Sequence, residues 1–273
     1  MPELPDLTVV AEELEARATG RTVVEASAPT PILVRATPAE LAELAGSTLA
    51  GVRRRGKFLL LTFTRDGADL RILAANPMLA GRFWLLDGAP GRVRARTGLR
   101  VRFADGGELR YVDREMLGKL YLVAPDGLDA IPGWIEMGPD ADDPTLTLDR
   151  FRERIRRHPG EMKSLLRNSR FVAGIGNAYS DEILWEARLA PLRRRSSLRP
   201  DEIDRLYAAM RAVLADATER VRILVPPDIQ VQHREFLKVH LRGGEPCPRC
   251  GRALRQIGGT EATTFCRGCQ PPA

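Results

Sequence analysis

Cys247-Pro248-Arg249-Cys250 … Cys266-Arg267-Gly268-Cys269 lies at the end of a chain of 273 residues and holds all 4 of its cysteines. Fifteen residues separate the two pairs. Each Cys-x2-Cys pair sets two thiolates on one tight knuckle. Two such knuckles joined by a hairpin offer a closed tetrahedral sulfur shell, the arrangement structural zinc takes. Four thiolates leave no open coordination position, so one structural Zn2+ is expected on Cys247, Cys250, Cys266 and Cys269. The competing reading is two disulfides of a secreted protein. It is disfavoured because the sequence opens with no signal-peptide pattern. A ribbon this small does not fold without its metal, so it serves a larger body.

Working outward, hydrophobic residues make up 44% of the chain, enough for ordinary cores. No apolar run approaches a membrane span, which excludes a membrane partner and makes a cytoplasmic, nucleoid-associated protein the expectation. The net charge is +6 with a pI of about 9.5. The excess is arginine, and it clusters in two stretches, 152–170 and 193–199. A charge run is usually a solvated face. Joined to a zinc ribbon and a basic pI, it points to nucleic acid.

The first 137 residues read as short strands near 22–27, 48–54, 57–63, 69–75, 81–86, 98–103, 108–112 and 119–123. Turn signals such as Asp66-Gly67 and Asp105-Gly106-Gly107 separate several of them. Two helices flank them. One is expected to be capped by Asp6, with Leu7, Val10, Ala11, Leu14 and Ala18 on its apolar face. The other opens on the capping box Thr37-Pro38-Ala39-Glu40. The polar, proline-bounded stretch Gly138–Pro144 reads as a linker. Helices follow, near 148–158, 161–168, up to 187, and 200–222. The fold class is therefore α+β and multidomain: an N-terminal β-sandwich flanked by helices, a helical domain and a zinc ribbon. The expected domain limits are 1–137, 145–235 and 236–273.

Gly174-Ile175-Gly176-Asn177 makes a sharp turn before a helix whose free N–H groups could cradle a phosphate, with Asn177 as an added donor. Glycines between helices are more often plain turns. Lys163 lies one helix upstream and could reach the same phosphate. Lys57 stands before the apolar run Phe58-Leu59-Leu60-Leu61, where a lysine is usually an edge gatekeeper. Pro2 carries the sharpest hypothesis. Removal of Met1 would expose a secondary amine. Attack on a sugar anomeric carbon would then give an iminium, an electron sink for elimination. Glu3 could act as general acid.

Taken together these stretches resemble the formamidopyrimidine-DNA glycosylase/endonuclease VIII family. The resemblance rests on Pro2-Glu3-Leu4-Pro5, Gly56-Lys57, Lys163 followed by Gly174-Ile175-Gly176-Asn177 with Tyr179 and Glu182, Gly243-Gly244-Glu245-Pro246, and the four cysteines in this order. It implies a helix-two-turns-helix in the second domain and a bifunctional glycosylase and AP lyase of base excision repair. Damaged double-stranded DNA would be its partner, and the protein a monomer. Pro2 would be the nucleophile, Glu3 the acid, and Lys57 would serve phosphate binding and elimination. Lys163, Gly176 and Asn177 would grip phosphates beside an extruded nucleotide. Met78 is the candidate wedge, with Arg114 the nearest substitute for an arginine missing from Asp113-Arg114-Glu115-Met116-Leu117-Gly118. Asp6 stands where the family usually has glutamate. Glu261 stands where its finger usually has arginine, and residues 223–240 do not match its lesion-covering loop. The alternative is a binder of damaged or distorted DNA that keeps the scaffold without the chemistry.

Overall fold

Two features set the first helix, α1 (Leu4–Ala18). Pro5 sits in the first turn, where its missing N–H costs nothing. Asp6 reaches back to accept the backbone N–H of Glu3 at 2.8 Å. The N-cap is therefore Glu3 and not Asp6, which instead closes a capping box from the N3 position. Glu3 is thereby held at the N-cap, with Pro2 just ahead of the helix. Glu3 is 2% exposed, and Pro2, Leu4 and Leu7 are buried with it.

The computed structural model describes residues 1–88, 91–259 and 261–271, which form two units. The first contains Met1–Ile135 and Val221–Gln232. Its strands are β1 (Val23–Ser27), β2 (Val34–Arg35), β3 (Thr48–Arg55), β4 (Phe58–Arg65), β5 (Ala68–Asn76), β6 (Gly81–Leu86), β7 (Thr97–Phe103), β8 (Glu108–Asp113) and β9 (Lys119–Val123). They form a five-stranded sheet, β2-β9-β5-β4-β3, and a four-stranded sheet, β1-β7-β8-β6. All pairings are antiparallel except β2 with β9. The two-residue strand β2 carries no period that sequence could show. Helix α2 (Pro38–Ala42) starts at the expected capping box on Thr37.

Turn chemistry sets the register. Asp66-Gly67 joins β4 to β5 with both residues at positive φ, 53° and 79°, the mirror-image turn that follows strand twist. Gly56-Lys57 joins β3 to β4, with Gly56 at φ 57°. Lys57 thus stands in the tight turn and not in the strand. Arg54 pins this turn, donating from Nη1 to the Gly56 carbonyl and from Nε to Thr8 Oγ1 of α1.

The second unit contains Glu136–Arg220 and His233–Ala273. Its helices are α3 (Leu148–Arg157), α4 (Met162–Arg167), α5 (Asn177–Glu186) and α6 (Pro200–Leu224), the last of which runs on into residues of the first unit. Strands β10 (Arg255–Ile257) and β11 (Thr263–Phe265) form the finger hairpin. Gly138–Pro144 is not a loose linker. Ala141 is fully buried, its N–H bonds the Ala173 carbonyl, and Arg211 donates to the Ala141 and Asp143 carbonyls. Backbone groups of the stretch are bound from both sides, and Asp143 Oδ1 accepts the Thr145 N–H at 2.7 Å.

Candidate catalytic and nucleic-acid-binding sites

In the first unit, Pro2 borders a cavity shared with Asp6, Leu59, Pro77, Arg82, Val225 and Gln232. Its volume is about 20 Å³, room for one water and no more. Lys57 is half-buried and stands two residues before Leu59 of the cavity wall. Arg54 ties the turn through Lys57 to Thr8 of α1, and the cavity is lined by Asp6, Leu7 and Val10 of α1 and by Leu59 of β4.

Two loops of the same unit carry exposed apolar tips. In the β5–β6 loop, Asn76 Oδ1 accepts the Met78 N–H at 3.1 Å, and Met78 adopts φ 50°. This leaves Met78 half-buried while Leu79 is 47% exposed. In the β8–β9 loop, Asp113 accepts the N–H groups of Glu115, Leu117 and Gly118, at 3.0, 3.0 and 2.6 Å. That ring of bonds turns Met116 and Leu117 outward, 40% and 46% exposed, beside an exposed Arg114. Arg96 donates to the Arg114 carbonyl. Fully buried Tyr111 holds both loops: a Cβ on Gly81 or Gly118 would lie 1.9 or 1.8 Å from its hydroxyl, so only glycine fits at either place. Burial pushes the Tyr111 hydroxyl far above its ordinary pKa, keeping it neutral. Leu79, the more exposed of the two, was not singled out in the sequence, where Met78 carried the wedge expectation. An apolar residue at a loop tip after Asn-Pro was the signal.

In the second unit the elements around α5 converge on the finger. Lys163 of α4 is 5% exposed, with Nζ 2.6 Å from Asp181 Oδ1 and 3.1 Å from the Ala262 carbonyl. Asn177 Nδ2 donates to that same carbonyl at 3.0 Å, while its buried Oδ1 finds no donor among the described residues. The structure therefore brings Lys163 and Asn177 together, on a carbonyl of the finger hairpin. Gly176 is the N-cap of α5. Asp181 Oδ2 accepts from Thr264 N at 3.2 Å and meets His240 Nδ1 at 2.7 Å. Glu182 accepts three backbone N–H groups, from Lys238, Val239 and His240, at 2.9, 2.8 and 2.8 Å. Burial, with Asp181 adding to it, still raises its pKa against those three bonds. Glu261 pairs with Arg167 of α4 at 2.7 Å.

The four cysteine sulfurs lie within 4.8 Å of one another. Trp185 of α5 donates its indole N–H to Cys247 Sγ at 3.4 Å, and Arg249 stacks on the indole at 4.0 Å. Burial works to raise the Cys247 thiol, but donation from Trp185 and from backbone N–H groups brings it down to about 6. Burial and the neighbouring thiols push Cys269 up to about 12. Four thiols this close cannot all ionise together without a cation, and this donor set fits a soft tetrahedral metal such as zinc.

A β-sandwich with a buried N-terminal proline, a glycine turn between helices, and a four-cysteine hairpin together define a class of DNA-repair scaffold. Residues 1–120 match the formamidopyrimidine-DNA glycosylase N-terminal domain, and residues 137–225 the formamidopyrimidine-DNA glycosylase H2TH domain. The chain is 36% identical to the formamidopyrimidine-DNA glycosylase of Symbiobacterium thermophilum, over 99% of this chain and 90% of that one. It is 33% identical to that of Pelotomaculum thermopropionicum, over 99% of each. Two solved structures of Lactococcus lactis Fpg superpose with TM-score 0.86. One holds DNA containing N7-benzyl-Fapy-dG, at 27% identity over 99% of this chain and 100% of that one. The other holds DNA with an abasic site, at 28% identity over 98% and 99%. This chain belongs to the formamidopyrimidine-DNA glycosylase family. Among the described residues, no helix is long and apolar enough to cross a membrane.

Proposed function

We propose that the protein is a DNA glycosylase with AP lyase activity, acting on damaged double-stranded DNA through the amine of Pro2. The observation that carries this reading is the buried Pro2–Glu3 peptide at the capped start of α1, in a chain whose relatives are named glycosylases. After removal of Met1, the prolyl nitrogen attacks C1′ of the damaged nucleotide. The base leaves with its bonding pair and takes a proton from Glu3. Opening of the sugar leaves an iminium between Pro2 and C1′. That electron sink eases loss of the C2′ proton, and the 3′ phosphate departs as the new double bond forms. Lys57, in the turn beside the cavity wall, assists phosphate departure.

In this reading residues 1–137 carry the chemistry, while 145–235 and 236–273 grip the backbone. Gly176 and Asn177 offer donors at the N-terminus of α5. Lys163 acts mainly from behind them, since much of its charge is met by Asp181. Leu79, Met116 and Leu117, with Arg114 beside them, supply the apolar filling for an opened base stack, a role in which Met78 is the inner support. One Zn2+ on Cys247, Cys250, Cys266 and Cys269 holds the finger. The second reading is a non-catalytic binder; the departure that bears on it is Glu261, which sets an anion on the finger and engages Arg167 of α4. Borohydride trapping decides between them. Protein shown by intact mass to lack Met1 should become covalently joined to abasic duplex under borohydride. Trimmed protein that binds the duplex without cross-linking would establish the binder.

A further inference from the structure

The segment that returns to the first unit, Val221–Gln232, ends on a side chain with three polar contacts. Gln232 Nε2 lies 3.2 Å from the Met1 carbonyl oxygen and 3.2 Å from Asp6 Oδ2. Its Oε1 accepts from Arg82 Nη2 at 2.8 Å. The same Asp6 Oδ2 accepts the Glu3 backbone N–H at 2.8 Å. A line of hydrogen bonds thus runs from Arg82 of β6 through Gln232 to Asp6 and the N–H of Glu3. All four members belong to one unit, and Gln232, Asp6 and Arg82 line the cavity against Pro2.

The order of donors is dictated. A guanidinium only donates, so the amide oxygen of Gln232 must face Arg82, and its NH2 must face the carboxylate. A neutral amide here separates a cation from an anion that would otherwise meet directly. The Gln232 amide adds a second donor to the Asp6 Oδ2 that accepts the Glu3 N–H. The cavity of about 20 Å³ beside Gln232 has room for one water.

We infer that Gln232 is a positioning residue for the N-terminal site. Aimed by Arg82, its amide holds Asp6 against the Glu3 N–H and so fixes the Pro2–Glu3 peptide in its attacking geometry. The inference rests on the reading of Pro2 as the amine nucleophile.

The test compares single-turnover borohydride trapping on abasic duplex for trimmed parent, Gln232→Leu, Gln232→Glu, and Gln232→Glu combined with Asp6→Asn. Gln232→Leu should trap about ten- to a hundredfold more slowly, the scale of a small misplacement of reacting groups, with affinity for a non-reactive abasic duplex within about twofold of the parent. Gln232→Glu sets a carboxylate against Asp6, so its trapping should fall as pH rises and recover on acidification, which Gln232→Leu should not do. In the combined variant the amide introduced by Asp6→Asn donates to the new carboxylate and still accepts the Glu3 N–H, so the rate should return toward the parent's. Amide exchange at Glu3, followed by NMR, should speed up in Gln232→Leu while the later amides of α1 exchange as in the parent. Trapping by Gln232→Leu at the parental rate and pH profile overturns the inference, as does a loss that the combined variant fails to rescue. A parent that does not trap refutes the amine reading. In that case unchanged Glu3 exchange in Gln232→Leu overturns the positioning role as well, and faster exchange upholds it.

Discussion

The cluster around Pro2 and the cluster around Lys163 are both buried and polar, yet they are built differently. At the N-terminus, a backbone N–H, a carboxylate and a neutral amide meet beside a cavity, with the guanidinium at the far end of the line. At Lys163, a cation and a carboxylate lie 2.6 Å apart in packed surroundings, with a finger carbonyl, the Thr264 N–H and a histidine among their further contacts. The first arrangement keeps groups oriented while leaving space next to them. The second uses charge to join three elements, α4, α5 and the finger hairpin. One is suited to chemistry and the other to architecture. A buried pair that is already satisfied resists reorganisation, because separating it exposes each charge to an apolar interior. Reaction requires groups that are held but not consumed.

Five expected outcomes put this contrast under test. The largest effect should come from removing the metal. Structural zinc contributes about 10–16 kcal/mol to folding of small zinc-binding peptides, so Cys266→Ser or strong chelation should unfold the finger. Metal analysis should show one zinc lost per chain, Trp185 fluorescence should change, and DNA binding should weaken. Hydrogen exchange in β3–β5 should stay as in the parent; if it collapses as well, the two clusters are not separable.

Glu3→Gln comes next. Loss of a positioned acid lowers a rate about 10²–10⁴-fold, so base excision should fall by that much. Trapping on a pre-formed abasic site should fall far less, since no base has to be expelled. Equal losses in the two assays would remove Glu3 from the acid role.

Lys163→Met should cost stability first. Breaking one partner of a buried ion pair destabilises by about 3–5 kcal/mol, and urea melts should show it in the second unit. Adding Asp181→Leu should return much of that loss. If Lys163→Met instead leaves stability intact and abolishes binding, then Lys163 is a direct phosphate ligand and the contrast fails. Asn177→Ala should be milder, weakening abasic-duplex binding by about 1–3 kcal/mol with a lower salt slope.

The smallest effect is acid sensitivity in the four-stranded sheet. Glu108 is fully buried between Arg100 and Arg110; burial raises its pKa, but these two guanidinium groups prevail and lower it. A carboxylate with a depressed folded pKa contributes stability that is present above its unfolded pKa of about 4.5 and is lost as pH falls through the folded value. Thermal melts between neutral pH and the low end of that window should show the loss in the parent. In Glu108→Gln that part of the pH dependence should vanish.

Much of this protein was legible in one dimension. Strand positions came within a residue or two because Asp66-Gly67 and Asp105-Gly106-Gly107 punctuate alternating apolar residues, and turn chemistry is local. The capping box at Thr37–Glu40 is equally local. The cysteine spacing alone predicted a cluster, and the four sulfurs converge. The start of α1 was misplaced by three residues, because Asp6 is a good cap by type and only the folded chain shows it serving Glu3 from N3 instead.

Residue type and short spacing were thus enough for the order of most elements and for the cluster of four cysteines. What those residues face was decided by tertiary packing. Gln232 reaches Asp6 across 226 positions, and Lys163 meets the Ala262 carbonyl across 99. No periodicity spans such separations. Closing them takes the packing of whole sheets and helices, and it is that packing which turned Lys163 inward, Leu79 outward and Asp6 back onto Glu3.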